Sequence, residues 1–316
     1  MQTIRAFLKL VEIRTKVASM YPLMLGTLMA YHAIKRVDGV NLLLMFISLL
    51  CIDLTTTGLN HYFDYKRAYL KTGYHYESHN PVSSGEFSPG KALSLLVISA
   101  GVGILAGLGL VYRTDLVVLL FGALAFAVGI GYSTGPLPLS RTILGELFSG
   151  LFMGGLIPFL AFYIHLPANY LGMLEIAGGT IQIAFNYDKI APLIFASLPM
   201  ILFIGNIMLA NNICDVEEDI VNKRYTLPIS IGRKNSLRLY QLNVIAAYMV
   251  VMGSVLFKIM PSGYLMTLIA VPLLYKQTKM FVSNPKKSET FKLSVKNFMV
   301  FSSISLVGLF MAYVWR

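Results

Sequence analysis

Residues 190–213 read IAPLIFASLPMILFIGNIMLANNI, 24 residues without a formal charge. As a helix rising 1.5 Å per residue, this stretch covers the roughly 30 Å hydrocarbon core of a bilayer. Its end turns polar, and an acidic patch follows at once: Asn211-Asn212-Ile213-Cys214-Asp215-Val216-Glu217-Glu218-Asp219. Charge near hydrocarbon costs roughly 2.5–3.5 kcal/mol on insertion scales, so an acidic patch at the end of a span is a functional candidate.

The rest of the chain has the same character. Of its 316 residues, 56% are AVILMFWYC and only 13% are charged, against about a quarter charged in an ordinary soluble domain. Too few charges exist to cover a water-soluble globule, and the composition also excludes disorder and a disulfide scaffold. Cys51 and Cys214 lie in or beside apolar segments and read as core thiols. The expectation is an all-α polytopic membrane helix bundle, one domain over 1–316, with about nine transmembrane helices: 17–34, 40–59, 92–112, 116–132, 147–166, 190–213, 239–257, 259–275 and 297–315. The eighth is short and carries Pro261 and Pro272. Residues 1–16 mix Ile4, Phe7, Leu8 and Val11 with Arg5, Lys9, Arg14 and Lys16, which suits an interfacial helix rather than a cleaved signal.

The formal charge of +11 finds its explanation in this topology. The N-terminal segment and the loops after spans two, four, six and eight hold 20 of the 26 Lys and Arg. That is the positive-inside pattern, which predicts a cytoplasmic N-terminus. The basic loops then face membrane lipid, and nucleic acid is not an expected partner. The long connection 167–189 on the other side is mildly polar; it is expected to fold back on the membrane surface and is given no function.

A second polar patch follows span two: Asn60-His61-Tyr62-Phe63-Asp64-Tyr65-Lys66-Arg67-Ala68. Aligned without a gap, Asn60 matches Asn211, His61 matches Asn212, Asp64 matches Asp215, and Ala68 stands opposite Asp219. Four spans separate the copies, so both meet the same membrane face, as in a parallel internal repeat. Residues four apart share a helix face, which makes Asn211, Asp215 and Asp219 one stripe and Asn60 with Asp64 a shorter one. Hard oxygen ligands with open positions suit Mg²⁺, which binds through one or two carboxylates, water and substrate phosphates. Lys66, Arg67 and Lys71 adjoin one stripe, and Lys223, Arg224 and Arg233 the other. These cations either meet a diphosphate or anchor the loops by the positive-inside rule. Glu217 and Glu218 point elsewhere and are expected to be solvated. Asp53, deeper in span two, either lines the cavity or pairs structurally.

These residues resemble the UbiA superfamily of intramembrane prenyltransferases, and within it the branch acting on 1,4-dihydroxy-2-naphthoate. The block from Asn211 through Asp219, with Lys223-Arg224-Tyr225-Thr226-Leu227 and Gly232-Arg233, is similar to the second aspartate-rich motif and its tail. Tyr132-Ser133-Thr134-Gly135-Pro136-Leu137-Pro138-Leu139 resembles a Tyr-x-x-Gly-Pro-x-Pro segment, and Glu12-Ile13-Arg14-Thr15-Lys16 the segment opening span one. The first motif departs from the pattern: His61 replaces an Asp, and Ala68 a later acid. Mg²⁺ prefers oxygen over nitrogen, so His61 reads as a hydrogen-bonding or acceptor-side residue, and Glu77 as a weak substitute ligand.

The resemblance implies Mg²⁺-dependent transfer of a polyprenyl group from polyprenyl diphosphate to an aromatic acceptor, with loss of CO₂ from dihydroxynaphthoate to give demethylmenaquinone. It implies Asp64, Asp215 and Asp219 as metal ligands. Asn60, His61, Lys66, Arg67, Asn211, Asn212, Lys223 and Arg224 are then substrate-binding. Tyr132 and Tyr62 are candidate partners of an allylic cation, and Arg14, with Arg141 a weaker candidate, holds the acceptor carboxylate. The implied location is a bacterial cell membrane with a cytoplasmic site. Two competitors stand: a relative with another aromatic or haem acceptor, and a secondary transporter, whose acids would lie at the midplane.

Overall fold

Long uncharged stretches force helices, because a backbone in lipid must satisfy its own hydrogen bonds. The computed structural model describes residues 2–67, 80–135, 138–177 and 180–314. Lys71 and Glu77, the Pro136-Leu137 pair and the Arg14 side chain lie outside this description, as does Ala68.

Helix α1 (Gln2–Leu10) is amphipathic. Ala6 and Leu10, with Val11, pack on Val82, Phe87 and Leu96, while Ile4 and Leu8 stay exposed. The expected interfacial segment therefore docks one face on protein. Helix α2 (Val17–Ile34) follows. Helix α3 runs from Gly39 to Arg67, well past its predicted end at residue 59. No Gly or Pro interrupts 59–67, and Lys66 and Arg67 in the last turn complement the carbonyl end of the helix dipole. The loop expected over 60–91 thus begins as helix, and the first polar stripe sits on it.

Helices α4 (Pro89–Arg113) and α5 (Leu116–Ser133) start at clear caps: Ser88 Oγ accepts from the Lys91 N–H, and the Asp115 carboxylate from that of Val117. Such caps contribute about 1 kcal/mol each. Helix α6 (Gly145–Tyr163) contains a π-helical stretch, Gly150–Leu156. There it lies almost backbone to backbone on α7 (Tyr187–Cys214): a Cβ on Gly154 would stand 2.6 Å from Ile201 N, and one on Gly150 2.7 Å from Ile201 O.

The connection before α7 adds one β-hairpin to the all-α bundle. Strands β1 (Gly172–Ala177) and β2 (Thr180–Phe185) pair antiparallel, with Gly172 opposite Phe185. Their β-branched residues fit a strand better than a helix.

Beyond α7 come the short α8 (Val216–Val221) and α9 (Leu227–Ile231), then α10 (Arg233–Leu256). The eighth predicted span is broken. It begins as a 3₁₀ stretch, Ser262–Ala270, and continues as α11 (Val271–Ser283), with Pro261 before it and Pro272 in the first turn of α11. Proline lacks the N–H donor that a continuous helix needs. Helix α12 (Phe291–Val314) closes the bundle. Among the described residues eight helices are long and apolar enough to cross a membrane, and the ninth expected crossing is this broken pair. The protein is a multi-pass membrane protein.

Helix α3 packs against α4 in one half, while α7 packs on α6, α10 and α12 in the other, and α2 lies against α6 and α12. The main core joins Leu25 and Met29 of α2, Met200 and Phe203 of α7, and Phe298 and Phe301 of α12.

Asp53 has a structural partner. Lys16 Nζ lies 2.6 Å from its Oδ1 and 2.6 Å from Thr57 Oγ1, and Ser19 Oγ donates to Oδ2 at 2.6 Å. Lys16 is buried and Asp53 nearly so. Removing one partner of such a pair costs about 3–5 kcal/mol, whereas replacing both is far milder. Lys16→Met and Asp53→Leu should each lower the thermal midpoint in detergent strongly, and the double variant should recover most of the loss. Additive losses would show that the pair is not a unit.

Candidate functional site

The two polar stripes carry the same internal bond. Asn60 Nδ2 donates to Asp64 Oδ2 at 3.4 Å, and Asn211 Nδ2 to Asp215 Oδ2 at 3.3 Å. The copies then differ. Helix α3 runs straight on, but the chain leaves α7 at Asp215 (φ −100°, ψ 8°) and resumes as α8, which carries Asp219.

Arg224 brings the stripes together. Its Nε lies 3.1 Å from Asp219 Oδ1, and its Nη1 3.6 Å from Asp64 Oδ2. The tail of the second motif is tied to the turn after α5: Arg224 Nη2 donates to Ser140 O, the Tyr225 N–H to Arg141 O, and Arg141 Nη2 to Asn222 O at 2.8 Å. Arg141 thus fixes backbone, and its guanidinium reaches across to the second motif.

Sequence reasoning passed over Lys287, which appeared as one cation among several in a basic loop. Its Nζ donates to Asn211 Oδ1 and lies 2.5 Å from Asp215 Oδ2. It passed over Glu146 as well, whose Oε1 accepts from Asn212 Nδ2 at 2.8 Å. Neither residue belongs to a periodic pattern, and each meets its partner from more than sixty positions away in the chain. Glu218 is a correction: it is half-buried rather than solvated, while Glu217 is exposed. Burial, with Asp215 adding to it, pushes the Glu218 carboxyl up to about 7.

The remaining predicted residues divide. Tyr132 lies within electrostatic reach of Asp64, Arg224 and Glu146. Arg67 turns to the end of α5, donating to Ser133 O at 3.3 Å and Gly135 O at 2.9 Å. Lys66 sits 5.0 Å over the Tyr62 ring, and Lys223 holds a left-handed turn at φ 53°. His61 Nε2 lies 3.1 Å from Glu12 Oε1, and the His61 carbonyl accepts from Asn80. The first-motif histidine is therefore bound to the N-terminal segment.

Among the described residues no three His, Cys, Asp or Glu side chains close around a single metal position. The donor set still fits a hard divalent ion. Asp64, Asp215 and Asp219 offer carboxylate oxygens and Asn60 and Asn211 amide oxygens, and Mg²⁺ needs only one or two protein carboxylates when phosphates complete its shell. The same oxygens are now met by Arg224 and Lys287, which shows that this cluster demands positive charge.

Asp219 is 2% exposed. Burial pushes its carboxyl up to about 6, against the pull of Arg224. A proton and a metal ion compete for that oxygen. Mg²⁺ affinity measured by calorimetry should therefore level off above pH 7 and fall as the pH drops below about 6; a flat profile from pH 5 to 8 would exclude Asp219 as a ligand. Lys287→Met frees Asn211 and Asp215, and should tighten Mg²⁺ binding in the absence of diphosphate. Unchanged or weaker binding would show that Lys287 does not compete with the ion.

The chain is similar to known proteins over most of its length. The chain is 30% identical over 303 residues to a 1,4-dihydroxy-2-naphthoate octaprenyltransferase of Bacillus subtilis (strain 168), covering 95% of this chain and 90% of the relative. Its fold is similar to that of a UbiA homolog from Aeropyrum pernix K1 (TM-score 0.67, 14% identity, 92% and 97% of the chains covered). It is also similar to a UbiA homolog from Archaeoglobus fulgidus bound to GPP and Mg²⁺ (TM-score 0.61, 15% identity, 98% and 99% covered). Residues 19–304 match the UbiA prenyltransferase family, and with the helix bundle and its paired aspartate motifs in place, the chain belongs to that family.

Proposed function

We propose that this protein transfers a polyprenyl group from polyprenyl diphosphate to 1,4-dihydroxy-2-naphthoate, with Mg²⁺, giving demethylmenaquinone. The observation that carries the reading is the reach of Arg224 to both Asp64 and Asp219, which makes two distant motifs one site. The Bacillus relative supports the choice of acceptor. The 20 of 26 Lys and Arg assigned to one side support a site at the cytoplasmic face of a bacterial cell membrane.

Asp64, Asp215 and Asp219, with the amide oxygens of Asn60 and Asn211, would hold the metal. When bound, Mg²⁺ would neutralise the diphosphate and stabilise the charge that grows on it as the allylic C–O bond breaks. Arg224 and Lys287 stand at the same carboxylates and would turn to the diphosphate, a fixed cationic wall of the kind that contributes most to such reactions. Lys223, next to Arg224 in the chain, adds positive charge on the same side. Arg14, in the 3₁₀ turn Ile13–Lys16 just before α2, is the candidate partner for the acceptor carboxylate. The bundle would keep water from the allylic cation, and the Tyr132 ring is the candidate partner for it. His61 and Ala68 leave the first motif with a single aspartate, and this favours as a second reading a relative with another acceptor. A transporter is disfavoured, because the acids gather at helix ends.

Membranes supplied with labelled dihydroxynaphthoate, a polyprenyl diphosphate and Mg²⁺ should form a lipid-soluble product that chelation abolishes. Asp215→Ala and Asp219→Ala should each lower turnover by roughly 10²–10³-fold, the range seen when one transition-state charge stabiliser is removed, while the protein still folds into the membrane. Normal turnover in both variants would refute the assignment.

A further inference from the structure

We propose that Glu146, with Tyr132 and Asn212, forms the subsite for the hydroxyl groups of the aromatic acceptor. The inference rests on the function proposed above and adds Glu146, which the aspartate motifs leave out, to Tyr132 and Asn212.

Glu146 opens α6 and is 7% exposed; Asn212, near the end of α7, is fully buried. Their contact is rigid. The glycines at 150 and 154 seat α6 against the Ile201 backbone, and a Cβ on Gly145 would stand 3.3 Å from Leu139 O and 3.7 Å from the Tyr132 hydroxyl. Asn212 Nδ2 donates to Glu146 Oε1. Three buried polar atoms at this place have no protein partner: Glu146 Oε2, Asn212 Oδ1 and the Tyr132 hydroxyl. A buried polar group left unpaired costs about 1–3 kcal/mol. Two of these atoms belong to the hydrogen-bonded Glu146–Asn212 pair, and the third lies close to Gly145, next to Glu146 in the chain, so together they mark a place built for something else.

The neighbouring aspartates show how unusual this carboxylate is. Asp53 meets Lys16, Asp64 and Asp219 meet Arg224, and Asp215 meets Lys287. Glu146 meets an amide, and one of its oxygens stays open. The chemistry of the three atoms selects the ligand. Glu146 Oε2 and Asn212 Oδ1 only accept hydrogen bonds while the carboxylate is ionised, and a diphosphate, which also only accepts, cannot satisfy them. A ring hydroxyl can: it donates to Glu146 Oε2 or Asn212 Oδ1 and accepts from the Tyr132 O–H. A hydroxyl hydrogen-bonded to a carboxylate also releases more electron density into its ring, which suits a carbon that must attack an allylic cation. Asn212, which meets Glu146, adjoins Asn211, which meets Asp215, so a ring held there is beside the diphosphate cluster.

The test uses the full chain in detergent and measures equilibrium binding of labelled 1,4-dihydroxy-2-naphthoate, its 1,4-dimethyl ether, and geranyl diphosphate with Mg²⁺. Glu146→Gln should weaken dihydroxynaphthoate binding by about 10–100-fold, as expected for a hydrogen bond to a charged group, and Tyr132→Phe by about 3–10-fold. The dimethyl ether should bind the wild-type protein about as weakly as dihydroxynaphthoate binds Glu146→Gln. Geranyl diphosphate affinity should stay within about twofold in both variants. Unchanged acceptor affinity in both variants would overturn the proposal, as would a parallel loss of diphosphate affinity, which would place Glu146 in the metal cluster. Should Glu146→Gln fail to fold, Tyr132→Phe still decides. Tight, Glu146-dependent binding of dihydroxynaphthoate without prenyl transfer would support the subsite while defeating the function proposed above.

Discussion

Carboxylates from two helices repel each other wherever water is scarce, and they stay together only if positive charge lies between them. Arg224 supplies that charge between Asp64 and Asp219, and the other features of this end of the bundle serve its placement. Helix α7 breaks at Asp215 so that α8 can present Asp219. The chain then returns Arg224, whose N–H bonds back to Asp219 O at 2.8 Å. The turn at 139–141 receives both Arg224 and Tyr225. Lys287 does for Asp215 what Arg224 does for the other two aspartates. On the function proposed above, a site held in this way would suit a polyanion and a divalent cation.

The internal repeat makes the division of labour visible. Both copies keep the Asn–Asp pair one helical turn apart, with nearly equal bond lengths. The second adds Asp219 and a break in the helix at Asp215, and among the described residues it is the copy that carries the arginine that reaches across. The first copy spends its second position on His61, which faces Glu12 and so fastens the N-terminal segment to α3. In this chain one repeat organises charge, and the other completes the wall opposite.

Much of this was legible in the sequence. Span positions followed from uncharged lengths, because lipid leaves few alternatives to a helix, and the shared helix faces of Asn60 with Asp64 and of Asn211 with Asp215 followed from spacing; that each pair is hydrogen-bonded came from the structure. What escaped notice depends on contacts between distant segments. Lys287 looked like one more positive-inside residue, and Glu146 like an isolated acid at the start of a span. Glu218 was expected to be solvated because a continuous helix would point it away, and the break at Asp215 changes that direction. The prolines at 261 and 272 hinted at the broken eighth crossing, whereas the hairpin at 172–185 lay in a connection too weakly patterned to commit to strands.

The central claim is that the two motifs grip one ligand together. A double-mutant cycle on Asp64→Asn and Asp219→Asn, read as the affinity for geranyl diphosphate in saturating Mg²⁺, tests it most directly. Joint action predicts strong coupling, with the double variant binding little worse than the weaker single variant. Losses that simply add would mean that the motifs act apart, and would contradict the account.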